Sequence, residues 1–149
     1  MDDNFKNKLF EEVKRRGLLE QEEKTSGGLK EIISALFHSR NQTHIFHLQT
    51  NSQSSFAEHM ALGGYYDEVG DLIDGLVESY QGKHGIIKGY NIDKVEDYES
   101  VKQVISYLES IDSVIEKSRK TIKESYIQNQ IDGVQELIYS TLYKLKFLK

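Results

Sequence analysis

Residues 56–78 read FAEHMALGGYYDEVGDLIDGLVE, and the periodicity of this stretch decides the fold class. Phe56, His59, Met60, Gly63, Tyr66, Gly70, Ile73 and Val77 recur at three- and four-residue intervals, the spacing that lines one side of an α-helix. A helix B over about 55–81 is therefore predicted. Upstream, Leu29, Ile32, Ile33, Leu36, Phe37, His44 and His47 repeat in the same way and predict helix A over about 28–50. The polar run Thr50-Asn51-Ser52-Gln53-Ser54-Ser55 between them reads as a turn with a serine cap.

Working outward, Gly82, Gly85 and Gly89 interrupt a segment without helical periodicity, so residues 82–94 read as a crossover. Tyr98, Val101, Ile105, Leu108, Ile111, Ile115 and Ile122 predict helix C over about 94–127. After a polar gap at Gln128-Asn129-Gln130, Ile131, Val134, Leu137, Ile138, Leu142, Leu145 and Leu148 predict helix D to the end. At the other end Phe5, Leu9, Phe10 and Val13 predict a short helix that stops near Gly17. A charged linker (Glu20–Lys24) and a break at Thr25-Ser26-Gly27-Gly28 follow it. No strand pattern appears. The expected fold is all-α: an N-terminal helical extension over 1–26, then a ferritin-like four-helix bundle over 27–149 with its crossover between helices B and C.

Composition narrows the function classes. A chain of 149 residues fits one compact domain. It has no proline and no cysteine, which removes the commonest helix breaker and excludes disulfides, Cys-based zinc or Fe–S sites and thiol nucleophiles. No apolar stretch approaches the roughly 20 residues needed to span a bilayer, and the N-terminus lacks the apolar stretch of a signal peptide. A soluble, cytoplasmic protein is expected. The net charge of -5 argues against a surface that binds DNA phosphates everywhere. Lys6, Lys8, Lys14, Arg15 and Arg16 form the one basic cluster, diluted by Glu11 and Glu12.

His38, His44, His47 and His59 gather within helices A and B, and borderline metals favour imidazole mixed with carboxylate. Asp74 and Glu78, four apart, share one side of helix B a turn apart. His59 precedes Asp74 by a run that spans about 22 Å as helix, so one chain cannot put both on one metal. Two antiparallel copies of helix B across a two-fold axis would bring the histidine end of each to the carboxylate end of the other. The spacing requires a dimer or has no meaning. Glu58, Asp67, Glu68 and Asp71 add acidic character and read chiefly as a solvated face; His44 reads equally as an orienting neighbour of His47 or as a surface residue. Asp112 with Glu116 and Asp132 with Glu136 could suggest a di-metal centre inside the helices, but neither pair has the Glu-x-x-His motif such a centre uses. Gly63, Gly64, Gly70 and Gly75 disfavour helix by roughly 1 kcal/mol each and read as sites of close helix approach at the two-fold axis.

The run from Thr43 through His47-Leu48, with Phe56 to His59 and Tyr66 to Asp74 and Glu78, resembles the Dps family of miniferritins. In that family a histidine, eleven residues, a histidine, fourteen residues, an aspartate, three residues and a glutamate form an intersubunit ferroxidase site. His47, His59, Asp74 and Glu78 fit those positions without a gap. The resemblance covers 29–81 well and helix D more loosely. Leu48 stands where the family usually has tryptophan, and Gly63 where an acidic residue is sometimes found, so the likeness does not extend to a second-iron position. The crossover looks shorter than the family's, which bears on a dodecamer more than on a dimer. The resemblance implies Fe(II) as the bound ion, its oxidation by peroxide or oxygen, storage of iron inside a hollow oligomer, and protection against oxidative damage. It also implies self-association across the helix B two-fold axis, up to a dodecamer. A non-enzymatic structural or interaction protein on the same helices is the alternative reading, and a protective protein that binds DNA weakly is the second.

Overall fold

The computed structural model describes residues 3–53 and 55–149, and every regular element among them is helical. In chain order they are α1 (Asp3–Gln49), α2 (Ser55–His84), α3 (Val101–Ser118), a 3-10 turn (Arg119–Thr121) and α4 (Ser125–Phe147). Of the polar turn predicted to cap helix B, Ser54 lies outside the described residues.

α1 does not break where the glycines suggested. It runs through Gly17 and through Thr25–Gly28 as one helix. Gly28 serves space rather than a turn, because a Cβ there would sit 2.7 Å from Ser118 O. Residues 4–18 are all exposed, with Phe5, Leu9, Phe10 and Val13 each more than half exposed, whereas Leu29, Ile32, Ile33 and Leu36 are fully buried. The N-terminal part of α1 is thus a helical arm that projects past the core.

Past the arm, each helix packs on two neighbours in the cyclic order α1, α2, α4, α3. Their apolar stripes meet in one core around Tyr65, Phe46, Leu62, Leu76, Leu108, Ile115, Ile127 and Ile131. α2 and α3 sit diagonally, and the segment between them, residues 85–100, travels the length of the core. It does so along α1, in the same direction. Asn91 N donates to Ser34 Oγ, His38 Nε2 to Lys94 O, Gln42 Nε2 to Glu96 O, and Tyr98 N to Gln49 Oε1. α1 and α4 therefore run one way, α2 and α3 the other.

The crossover is longer than predicted. Tyr98 shares the apolar stripe of helix C but belongs to the crossover, packing edge-on to Phe46 at 6.2 Å. α3 begins only at Val101, after Ser100, whose backbone is extended and whose hydroxyl accepts a hydrogen bond from Gln103 N at 3.2 Å as an N-cap. The predicted helix C to 127 also ends early, at Ser118. Ile122 is extended and α4 starts at Ser125, so the polar gap lies inside α4. Gln128 was polar for a reason: its Nε2 donates to Arg119 O and Ile122 O, and its Oε1 accepts from Arg119 Nε. One side chain closes the turn between α3 and α4. No helix of the described residues is long and apolar enough to cross a membrane.

Candidate metal site

The short turn after α1 brings the last turn of that helix level with the first turns of α2, and so sets His47 beside His59. The two rings stack with centroids 3.6 Å apart and 22° between planes. Each side chain reaches the other residue's backbone. His47 Nδ1 donates to His59 O at 2.7 Å and His59 Nδ1 to His47 O at 3.0 Å. A carbonyl oxygen can only accept, so both Nδ1 atoms carry the proton, and a neutral ring then leaves Nε2 as a bare lone pair. Thr50 Oγ1 also donates to His47 O, at 3.1 Å. Gly63 leaves room for the pair, since a Cβ there would lie 3.2 Å from His47 Cε1. Tyr66 meets His47 edge-on at 5.3 Å and carries His44 stacked on its face at 4.1 Å.

Asp74 and Glu78 are exposed on the outward side of α2, a turn apart. The rise of the helix places them about 22 Å or more from His59, so within one chain they do not join the histidines. Among the described residues no group of three or more His, Cys, Asp or Glu could hold a metal ion.

The remaining polar residues fall into separate networks. Glu58 is buried rather than part of a solvated face, and it accepts from Tyr98 Oη at 2.8 Å. Burial, and then Glu58 itself, push the Tyr98 phenol up to about 12. Asp112 and Glu116 both accept from the buried Gln135 Nε2, at 2.8 and 2.7 Å. Asp112 also accepts from Tyr139 Oη at 2.8 Å, and Arg119 bonds Gln135 Oε1 and Asp132 Oδ1. These carboxylates are tied into a clasp between α3 and α4. Sequence reasoning missed Gln135, although a glutamine beside Val134 and Ile138 in an apolar stripe was a visible signal. It also passed over His84, which stacks on Tyr80 at 4.4 Å and bonds Glu124 Oε1 at 2.6 Å. Burial works to raise the Glu124 carboxyl, but a backbone hydrogen bond, His84 and Lys83 outweigh it and hold it below the ordinary carboxylate range.

Residues 47–145 match a family of unknown function, DUF5856. The chain belongs to that family. The matched segment opens on His47 and takes in His59, Asp74 and Glu78, while leaving out the arm and most of α1. No curated protein and no solved structure matches the chain.

Proposed function

We propose that this DUF5856 chain is a miniferritin-like protein: a ferritin-like four-helix bundle that binds Fe(II) as substrate and passes its electron to peroxide or oxygen. The observation that carries the reading is the reciprocal hydrogen bonding of His47 and His59. It fixes both rings in the tautomer that offers Nε2 to a cation, which is the state a metal ligand needs. The path of the chain supports the bundle, because two antiparallel helix pairs joined by a long crossover are the plan of ferritin-like folds.

In this reading His47 and His59 of one copy and Asp74 and Glu78 of a second hold the iron. Neutral imidazole with anionic carboxylate favours the higher charge of Fe(III). Oxidised iron would then be stored in a hollow oligomer, protecting a cytoplasmic host from iron-driven oxidation. Anaerobic Fe(II) titration followed by addition of peroxide tests this directly. Stoichiometric binding and oxidation faster than buffer are expected, with His59→Ala and Glu78→Ala each slowing the reaction and leaving helicity intact. A protein that neither binds Fe(II) nor outpaces buffer would instead favour the structural reading. In that case the same two hydrogen bonds serve only to clasp α1 to α2.

A further inference from the structure

Arg40 is an exposed guanidinium with a prepared seat and no ion pair among the described residues. It lies over Gly70 of α2, where a Cβ would stand 3.3 Å from its Nε and 3.6 Å from its Cζ. A side chain at 70 would crowd the guanidinium, which would have to shift by a few tenths of an ångström. The seat holds the cation one turn from Asp67, at the edge of an outward side of α2 that carries Asp67, Asp71, Asp74 and Glu78, all exposed. Next to Arg40 on α1, His44 is occupied by stacking on Tyr66. An arginine set beside a row of carboxylates, yet joined to none, is poised for a carboxylate that its own chain does not supply.

We infer that Arg40 is the central contact of a homodimer, pairing with Asp67 of a second copy while that copy's arginine pairs reciprocally. The inference rests on the antiparallel pairing of α2 proposed above and specifies its centre. If His59 lies opposite Asp74 and Glu78, the numbers of facing residues add to a nearly constant sum, and the position that faces itself falls at about 67. There a two-fold axis brings Asp67 toward its own copy, and two like charges repel unless a cation lies between them. Arg40, seated one turn away on the neighbouring helix, is that cation. Toward the ends of the same outward side, Phe56 and Met60 are 77% and 59% exposed and adjoin Phe147 and Leu148 of α4, which supply apolar area to a surface whose middle is charged. The occupant that satisfies both the charged centre and the register is a second copy of the chain.

Sedimentation velocity and light scattering on the full chain, with chelator present to exclude metal, read this contact without any chemistry. The unaltered protein should associate. Arg40→Glu and Asp67→Arg should each raise the dissociation constant roughly a hundredfold, since symmetry removes two contacts at once. The double variant Arg40→Glu/Asp67→Arg should return to within about tenfold of the starting value, with Gly70→Ala giving a smaller loss by shifting the guanidinium. Helicity by circular dichroism should be equal throughout. A monomer across the concentration range, an oligomer indifferent to Arg40→Glu, or a swap that restores nothing would each overturn the pairing. Iron separates this inference from the functional reading. An Arg40-dependent dimer that fails to oxidise Fe(II) sinks only the iron site, and an Arg40-independent oligomer that oxidises it sinks only this contact.

Discussion

Both ring nitrogens of His38 are engaged, Nδ1 by the Tyr107 hydroxyl at 2.6 Å and Nε2 by Lys94 O at 3.0 Å. His47 and His59 each spend only Nδ1 in the hydrogen bonds described above, and that difference separates a structural histidine from a candidate ligand. His38→Ala should therefore leave Fe(II) oxidation unchanged while lowering the unfolding free energy by about 1 kcal/mol, read from urea denaturation, because it removes the partner of the half-buried Tyr107 hydroxyl and frees the crossover. A fall in oxidation rate would show that the histidines act as one cluster. The miniferritin resemblance singled out His47 and His59 as a pair, but their reciprocal bonds were not legible, since a hydrogen bond to a backbone carbonyl leaves no mark on residue type. Glu124 tests the other histidine pair. Its carboxyl is held below the ordinary range, so its contribution to stability is present above the unfolded-state value and is lost as pH falls through the folded-state value. Glu124→Gln keeps a carbonyl for His84 but not the charge. The stability gap between it and the unaltered protein should be open near neutral pH and should close as pH falls below about 4.3, followed by thermal melts across the acid range.

At the scale of the helix, identical residues have opposite effects. A Cβ added at Gly17, on the exposed arm, would meet nothing within 4 Å, whereas one at Gly28 would press on Ser118 O at 2.7 Å. Alanine favours helix over glycine by roughly 1 kcal/mol. Gly17→Ala should thus raise arm helicity by circular dichroism and leave the melting temperature of the core nearly unchanged. Gly28→Ala should lower that temperature, as α1 and the 118–121 turn are forced apart at a cost beyond the propensity gain. A higher melting temperature for Gly28→Ala would show that the turn yields freely. The same contrast explains what sequence could give. The apolar periodicities of α1, α2 and α4 were plain, because burial on one side imprints itself every three or four residues. The ends of elements were not: Gly28 resembles a break while serving a close approach, Tyr98 falls on a helix stripe while lying in the crossover, and Gln128 resembles a gap while tying two helix ends together.

For the whole molecule, the net charge and the proposed two-fold pairing each set an expectation. The net charge of -5 opposes DNA, and the basic residues of the arm are partly spent, as in the Arg16–Glu12 pair at 3.1 Å. DNA retardation, if observed at low salt, should vanish by physiological ionic strength; salt-resistant binding would give the arm a different role. The distance along α2 between His59 and the Asp74–Glu78 pair leads to a sharper expectation. If each iron lies between two copies, His59→Ala destroys the histidine half of a site and Glu78→Ala the carboxylate half, and neither variant alone forms an intact site. Unfolding and refolding the two together in equal amounts should make half of the dimers mixed. Each mixed dimer joins an unaltered histidine half to an unaltered carboxylate half on one side and both damaged halves on the other. Activity should then return to about a quarter of that of the unaltered protein, from a mixture of two nearly inactive parents. A site contained within one chain gains nothing from mixing, because every chain still carries its own lesion, so a mixture no faster than its parents would move the iron away from the two-fold axis.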